Sequence, residues 1–456
     1  MFDSVLISPN QLREQFSQAL SAMYRTEVPL YGALVDLVVE VNGQYLAEHS
    51  DDLPRSERDT DLVRLSQERH GAIRLGTAAE LHTMRRLFAV LGMQAVGYYD
   101  LGIAGLPVHS TAFRPVDAND LAVNPFRIFT SLLRLELIPD QALQERIKAL
   151  LAKRRIFHPE LIDLIELAEE QGGLTAYQAD HFVTEALNVF RWQSEAAVDE
   201  DTYQQLKALH PLVADIVCFK GPHINHLTPR TLDIDQAQAA MLAQGIEAKT
   251  IIEGPPKRQH PILLRQTSFK ALEEAIQFKT NVGTWQTGTH TARFGEIEQR
   301  GVALTPKGRA LYDELLAQVR ERVPQPEADP KHYYHVLQEV FQAFPDDLTQ
   351  LRQEELAYFT YHLQTDTVKG AKQSIEELIK NGIILPLPII YEDFLPVSAA
   401  GIFRSNLAAD AANDFTAQAS QQAFEQALGV QVLDAFEWYA RIEQQSLAQC
   451  LAVLHG

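Results

Sequence analysis

The sequence contains very little cysteine, no excess of basic residues and no long apolar run. Its 456 residues include two cysteines, Cys218 and Cys450, which excludes the disulfide framework of small secreted domains. The formal net charge of -20 at pH 7 argues against a nucleic-acid partner, because such a surface needs a basic face. The most apolar stretch, residues 383–390, is short and carries two prolines, so we expect no transmembrane helix and no membrane partner.

The N-terminus also lacks the basic and then apolar pattern that is typical of a signal peptide. What remains is ordinary for a soluble globular protein, since 46% of the residues are hydrophobic and 22% are charged. We therefore expect a soluble cytoplasmic protein whose length requires two modules or one large elaborated domain. Composition does not predict its oligomeric state.

Two segments of the sequence resemble each other. His70 stands four residues before Arg74, and His226 stands four residues before Arg230. Both segments lead into a stretch with the apolar spacing of an amphipathic helix. This similarity indicates an internal repeat, which constrains the fold more than a single motif does.

The repeat continues through three further extended segments in each half. Pro107–Arg114 corresponds to Pro261–Lys270, and Leu132–Glu136 is matched with Arg293–Glu296. The order strand, helix, strand, strand, strand thus occurs twice. We predict an α+β fold in which two βαβββ modules form a central curved sheet around a metal site, with large helical insertions.

The division into domains follows from this repeat and from the helical segments around it. Helical segments are predicted from Thr305 through Gln364, interrupted by an exposed loop at 321–331 that is rich in proline and charge. The predicted regions are N-terminal helices at 1–69, a first βαβββ module at 70–138, a helical insertion at 139–214, a second βαβββ module at 215–301, and a C-terminal helical region at 302–456 with a strand near 383–404.

Histidines and carboxylates in the extended segments could bind a metal ion. Two histidines, His223 and His226, lie at the start of one predicted strand of the second module. Two carboxylates, Glu296 and Glu298, occupy alternate positions of another predicted strand. Imidazole and carboxylate ligands on neighbouring strands are typical of the 2-His-1-carboxylate Fe(II) site, and the repeated His70 offers a further imidazole. A lone histidine near a strand is more often a core or surface residue, and these residue types alone leave the ligand set open.

Five longer segments of the sequence together resemble one known family. The segments are Arg69-His-Gly-Ala-Ile-Arg74, His109-Ser-Thr-Ala-Phe-Arg-Pro115, His223–Asp235, Phe294-Gly-Glu-Ile-Glu-Gln-Arg-Gly301 and Leu395-Pro-Val-Ser-Ala-Ala-Gly-Ile-Phe403. They resemble the family of bacterial 2-oxoadipate dioxygenase/decarboxylases, and the resemblance covers nearly the whole chain. This family is in turn similar to the vicinal-oxygen-chelate superfamily, including 4-hydroxyphenylpyruvate dioxygenase, whose fold is built from paired βαβββ modules.

The resemblance implies an Fe(II) enzyme that uses O2 to convert the 2-oxo diacid 2-oxoadipate into 2-hydroxyglutarate and CO2, within lysine catabolism. The metal ligands implied are His70, His226 and Glu296. Glu296 is preferred to Glu298 because Glu-Ile-Xaa-Gln-Arg resembles the ligand strand of 4-hydroxyphenylpyruvate dioxygenase. His223 would point to the opposite face of a regular strand, so we expect a supporting role for it.

The resemblance also implies residues that hold the substrate. Arg74 and Arg404 are expected to act in catalysis by binding the two carboxylate ends, although an ion pair for Arg74 and solvent exposure for Arg404 are the alternatives. His109, Ser110 and His290 could line the pocket, but buried hydrogen-bonding roles fit them equally well.

Two other functions stay open at the level of sequence. The chain could be another metalloenzyme of the vicinal-oxygen-chelate type that acts on a different 2-oxo acid. It could also be a non-catalytic protein that binds a carboxylate or a metal, for which a lost ligand would be the mark. None of the three expected ligands is lost.

Overall fold

The protein is described by a computed structural model, which covers residues 5–49, 62–280, 283–364, 373–395 and 414–455. Among these residues, no helix combines the length and the apolar character that a membrane crossing requires.

The described residues form eleven strands and seventeen helices. The strands are β1 Arg69–Leu75, β2 Gln94–Asp100, β3 Val108–Arg114, β4 Arg127–Leu133, β5 His226–Pro229, β6 Leu264–Ser268, β7 Glu273–Lys279, β8 Trp285–Thr291, β9 Phe294–Arg300, β10 Phe359–Leu363 and β11 Ile384–Pro388.

The helices surround the strands and often begin at a side-chain cap. They are α1 Pro9–Glu27, α2 Pro29–His49, α3 Leu62–Gln67, α4 Ala78–Val90, α5 Ala118–Val123, α6 Gln141–Leu151, α7 Pro159–Gln171, α8 Ala176–Phe190, α9 Glu200–Leu209, α10 Pro211–Val217, α11 Ile234–Ala243, α12 Pro306–Arg322, α13 Pro330–Val340, α14 Leu348–Gln353, α15 Ile375–Lys380, α16 Asp414–Leu428 and α17 Ala435–His455. The cap of α4 is a reciprocal one, in which Thr77 accepts from the backbone of Glu80 and Glu80 accepts from the backbone of Thr77.

One seven-stranded sheet organises the molecule, in the order β2-β3-β4-β1-β5-β9-β6. Within the first module, β4 runs parallel to β1 and antiparallel to β3. Within the second, β9 runs parallel to β5 and antiparallel to β6. The two modules meet at the antiparallel pair of β1 and β5, so the sheet continues without a break from one to the other. The predicted α+β fold with two βαβββ modules is confirmed.

The register across this junction agrees with the repeat. His70 lies opposite Thr228, and Ala72 lies opposite His226, so the two histidines occupy equivalent places about a local two-fold axis. The same register makes Arg74 and Arg230 equivalent, since each lies four residues beyond its histidine.

The second module departs from the first in two ways. A short irregular stretch takes the place of its second strand, since it forms only isolated bridges, between Glu253 and Gln266 of β6 and between Ala248 and Phe269 just after β6. Strands β7 and β8 leave the main sheet and form a separate two-stranded hairpin between β6 and β9. This hairpin has no counterpart between β3 and β4, so it is an insertion in the repeat.

Two expectations from the sequence were wrong. The strand that corresponds to β9 is β4. His70 pairs with Arg127 of β4, and His226 pairs with Phe294 of β9. The residue equivalent to Glu296 is therefore Phe129, not Glu136. The segment before Gln364 is not wholly helical. Its last five residues, Phe359–Leu363, are mostly half-buried and form β10, which pairs with the proline-containing strand β11.

The sheet is covered on both faces, as expected for central strands that contain parallel pairs. All seven residues of β1 are buried. On one face Ile73 packs in a large cluster with Phe88 of α4. On the other face Ala72 and Phe129 belong to a smaller cluster that includes Phe394. His70 and Arg74 flank Ala72 on this second face, because alternate residues of a strand point the same way.

Candidate metal centre

Three fully buried side chains converge where the two modules join. His70 comes from β1, His226 from β5 and Glu296 from β9. One ligand atom of each lies within 4.8 Å of the other two. The rings of His70 and His226 stand edge to face at 5.7 Å, and His70 Nε2 lies 3.2 Å from Glu296 Oε1. The structure thus brings together the three residues that the sequence indicated as metal ligands.

The backbone permits this approach because β1 carries a glycine beside the histidine. A Cβ atom at Gly71 would lie 2.7 Å from a methyl carbon of Ile224 and 3.1 Å from the carbonyl oxygen of His226. Both distances are too short for an ordinary contact. A larger residue at this position would push β5 away from β1 and separate the two histidines.

Several polar atoms of this cluster lack a hydrogen-bond partner within the described part of the chain. These atoms are both ring nitrogens of His70, both ring nitrogens of His226 and Oε2 of Glu296. Buried polar atoms are almost always satisfied, because leaving one unpaired costs on the order of 1–3 kcal/mol. Two neutral imidazoles and a carboxylate are also a donor set that suits Fe(II). The residues therefore fit a metal ion, which would bind one nitrogen of each imidazole and one oxygen of Glu296.

The other oxygen of Glu296 is held in place. Its Oε1 accepts a hydrogen bond of 2.6 Å from Gln266 Nε2 and one of 3.2 Å from Thr228 Oγ1. These two donors fix the carboxylate and direct Oε2 away from them. Neither Gln266 nor Thr228 was predicted from the sequence to contact Glu296. The signal for Gln266 was the presence of polar residues in the fully buried strand β6, since buried polar groups need hydrogen-bond partners.

Glu298 lies on the same face but has a different environment. Its two oxygens accept a pair of 2.9 Å hydrogen bonds from Nε and Nη2 of Arg300. Its Oε2 also lies 3.0 Å from Nδ1 of His70. Glu298 therefore faces the far side of the His70 ring, whereas Glu296 faces its Nε2 atom.

The charges of the cluster follow from burial and from these neighbours. Burial lowers the pKa of His226 well below its usual value, and His70 and Arg74 lower it further, so the imidazole is neutral. Burial acts against ionisation of Glu298, but Arg300 and His70 outweigh it and hold the pKa of that carboxyl low. Burial also lowers the pKa of His70, but the carboxylates of Glu298 and Glu296 more than offset this and raise it. Neutral imidazole and ionised carboxylate are the forms that bind metals.

Arg74 lies on the same face of β1 as His70, in a buried ion pair. Its Nη1 donates a 2.6 Å hydrogen bond to Oδ2 of Asp215 on α10. The ion pair that the sequence left as the alternative for Arg74 is therefore present. Across the sheet, Arg74 is in register with Ser131, whose hydroxyl lies 2.8 Å from that of Ser110. Ser110 thus shares a face with Arg74.

The structure does not bring His109 to this cluster. His109 directly precedes Ser110 on β3, so it points to the opposite face of the sheet, where its ring contacts Phe424 with the ring centroids 4.7 Å apart. Its Nδ1 lies 3.3 Å from the hydroxyl of Tyr98. Burial, with a contribution from Arg134, lowers the pKa of His109 to about 4. Of the two roles left open for His109, the geometry matches the buried hydrogen-bonding one.

His223 and His290 meet in a second buried cluster, around Asp215. His223 Nε2 lies 3.1 Å, and His290 Nε2 3.0 Å, from Asp215 Oδ1. His223 precedes β5 rather than lying within it, so strand alternation does not decide its direction. Arg404, which the sequence placed near the substrate, lies outside the described residues.

The comparisons with known proteins agree with this geometry. The family profile of 2-oxoadipate dioxygenase/decarboxylase matches residues 16–406. The 2-oxoadipate dioxygenase/decarboxylase of Pseudomonas putida is 53% identical, and the match covers 98% of each chain. The protein of the same name from Escherichia coli is also 53% identical, over 97% of this chain and 98% of the other.

A solved structure is similar over the same length. It is the hydroxyglutarate synthase of Pseudomonas putida in complex with 2-oxoadipate, with a TM-score of 0.89 and 51% sequence identity. The match covers 98% of this chain and 99% of that one.

Proposed function

The chain belongs to the 2-oxoadipate dioxygenase/decarboxylase family, and from this premise we propose that it is an Fe(II)-dependent enzyme acting on 2-oxoadipate. The proposed reaction consumes one O2 and yields 2-hydroxyglutarate and CO2. The C1 carboxylate leaves as CO2 with its own two oxygens, one atom of O2 turns the former keto carbon into the new carboxylate, and the other becomes the hydroxyl group on the neighbouring carbon, so the atoms balance. A role in lysine catabolism, which the resemblance implied, stays a prediction.

The observation that carries the proposal is the buried cluster of His70, His226 and Glu296, with its unpaired nitrogen and oxygen atoms. Three protein ligands leave positions at which a bound Fe(II) would activate O2 and polarise a 2-oxo acid. All three side chains lie on rigid strands of one sheet, so the geometry of the site is fixed before substrate arrives.

The residues around the ligands have separate tasks in this proposal. Gln266 and Thr228 hold Glu296 so that its Oε2 is presented to the metal. Glu298 keeps the Nδ1 proton of His70 on its own side, which leaves the Nε2 lone pair for the metal. This division of labour supports Glu296, rather than Glu298, as the carboxylate ligand.

The diacid substrate needs positive charge in a chain that is strongly acidic overall. Arg74 provides a permanent charge and a planar fork of donors on the same face as His70. Its present partner, Asp215, keeps the buried guanidinium neutralised until a carboxylate arrives. Arg404 is proposed to hold the other end of the diacid, on the strength of the resemblance alone. Ser110 could contribute its hydroxyl beside Arg74.

An anaerobic titration with Fe(II) tests the metal site. The wild-type protein is expected to bind one Fe(II), and His70→Ala, His226→Ala and Glu296→Ala are each expected to lose it. His109→Ala serves as a matched control, because that buried histidine lies on the opposite face of the sheet. Undiminished iron binding in any of the three ligand variants would refute the assignment of that residue. Turnover measured on a panel of 2-oxo acids then tests the substrate.

A further inference from the structure

The carboxylate of Asp215 receives more polar contacts than a simple ion pair needs. Its Oδ2 accepts from Nη1 of Arg74 at 2.6 Å and from Nδ2 of Asn225 at 3.3 Å. Its Oδ1 faces Nε2 of both His223 and His290 at 3.1 and 3.0 Å. Four nitrogen atoms thus surround one buried carboxylate, and they hold the pKa of Asp215 well below its usual value despite burial.

The imidazole partners are themselves held in place. His290 Nδ1 lies 2.9 Å from the hydroxyl of Tyr203, and the indole of Trp192 is nearly parallel to the His290 ring, with centroids 6.2 Å apart. The edge of His223 meets the same indole at 4.7 Å. Neither imidazole can therefore turn away from Asp215 without disrupting its packing.

Asp215, His223 and His290 could in principle bind a metal ion, since their ligand atoms also lie within 4.8 Å of one another. The hydrogen bonding argues against this. No atom of these three side chains is among the buried polar atoms that lack a partner in the described residues, whereas His70, His226 and Glu296 contribute five such atoms. Asp215, His223 and His290 thus leave no buried polar atom for an ion to satisfy, so their role is different from that of the metal centre.

The three groups come from parts of the chain that lie outside the main sheet. Asp215 is on α10, His223 is in the loop that follows this helix, and His290 is on the inserted β7–β8 hairpin. The two histidines contact Asp215, and Asp215 pairs with Arg74, which belongs to β1 of the first module. The insertion therefore reaches that arginine through Asp215.

We infer that Asp215, fixed by His223 and His290, is a positioning residue that sets the orientation of the Arg74 guanidinium for carboxylate recognition. The inference rests on the proposed role of Arg74 in binding the substrate. A long arginine side chain has many accessible rotamers, and a hydrogen bond from Nη1 to an immobile acceptor fixes the plane of its guanidinium. A carboxylate held on both oxygens cannot rotate to follow the arginine.

The equivalent arginine of the second module provides a comparison. Arg230 is also buried and also pairs with an acid, since its Nη1 lies 3.3 Å from Oε2 of Glu68. That acid is shared with a second guanidinium, of Arg127, at 3.0 Å. Two imidazoles contact the acid that pairs with Arg74, whereas a second guanidinium contacts the acid that pairs with Arg230. This difference is expected if only one of the two equivalent arginines binds the substrate.

A double-mutant cycle on the full-length, iron-loaded protein tests the inference. Asp215→Asn is expected to lower kcat/KM for 2-oxoadipate by about 30-fold, the effect of losing one charge-assisted hydrogen bond, mainly through KM. In an Arg74→Lys background the same change should cost less than about 3-fold, because the group it positions is already gone. His290→Gln should show the same coupling with a smaller loss, of roughly 5- to 10-fold. It also provides the test if Asp215→Asn does not fold.

Two controls separate positioning from general support of the fold. Combined with Arg230→Lys, the Asp215→Asn change should be additive, and His181→Gln, an exposed imidazole of α8, should leave the kinetics unchanged. Iron content should stay at the wild-type level in all of these variants. Additive losses with Arg74→Lys, or loss of iron in Asp215→Asn, would overturn the positioning role while leaving the proposed reaction intact. Absence of wild-type turnover on 2-oxoadipate would overturn the proposed function and this inference with it.

Discussion

The two neighbouring carboxylates of β9 can be distinguished by replacing each with its isosteric amide. Glu298→Gln removes the negative charge that pairs with Arg300 and faces His70 Nδ1, while keeping the shape of the side chain. Arg300 would then retain two backbone carbonyl acceptors, at 2.8 and 3.0 Å, but no carboxylate. Breaking a buried ion pair in this way costs about 3–5 kcal/mol of unfolding free energy.

The effect of Glu298→Gln on iron should be indirect and partial. Loss of the partner that orients a metal-binding histidine typically weakens metal affinity by about 10- to 100-fold. Glu296→Gln removes a proposed ligand and is expected to abolish stoichiometric iron binding. Chelator competition measures the affinity, and denaturant unfolding of the same samples measures the stability. Glu80→Gln is the matched control, since Glu80 accepts a similar fork from Arg154 at 2.8 and 2.6 Å and should affect stability alone.

One result would refute this reasoning. If Glu296→Gln kept full iron occupancy while Glu298→Gln lost it, the ligand would be Glu298, and the contacts of Gln266 and Thr228 with Glu296 would have only a structural meaning.

Three further predictions concern single side chains. Arg74→Lys should lower kcat/KM for 2-oxoadipate by at least about 30-fold with iron retained, because an ammonium cannot give two parallel hydrogen bonds, and unchanged kinetics would make Arg74 a purely structural residue. His109 has a pKa near 4 when folded and about 6.5 when unfolded, so the unfolded chain binds its proton first as the pH falls. The unfolding free energy, measured by urea unfolding, should therefore drop by about 2 kcal/mol more between pH 6.5 and 5 in the wild type than in His109→Gln. The same pH dependence of the unfolding free energy in both proteins would contradict this. A Cβ atom at Gly301 would lie 2.2 Å from a backbone carbon, so Gly301→Ala should destabilise the protein by about 2 kcal/mol or more. Gly43 lies in α2, and among the described residues beyond its own helical turn no atom lies within 4 Å of an added Cβ. Gly43→Ala should therefore be neutral or stabilising in the same unfolding assay.

Much of the fold could be predicted from the repeat, because the repeat reports on equivalent positions in space. The spacing of His70 to Arg74 and of His226 to Arg230 matched the register of β1 with β5. The alignment of the two halves was wrong after β6. The inserted β7–β8 hairpin shifts the equivalent positions there, and the length of an insertion cannot be determined from the sequence when the two halves are only weakly similar.

Contacts between residues far apart in the chain were beyond the reach of sequence. Arg74 and Asp215 are separated by 141 positions, and the sequence around either residue does not indicate that the two form a pair. An acid within the apolar helix α10 was a signal of a buried partner, because a buried charge needs a counter-charge or hydrogen bonds. The face of the sheet to which His109 points likewise depended on the start of β3, which strand patterns locate only to within a few residues.

The most direct test of the proposed reaction is a combined oxygen-electrode and CO2 measurement on the Fe(II)-loaded protein with 2-oxoadipate. The account predicts that one CO2 is released for each O2 consumed, that 2-hydroxyglutarate accumulates in the same amount, and that His226→Ala consumes no O2 above the background. Consumption of O2 without CO2, or no reaction with 2-oxoadipate while the protein holds its iron, would contradict it.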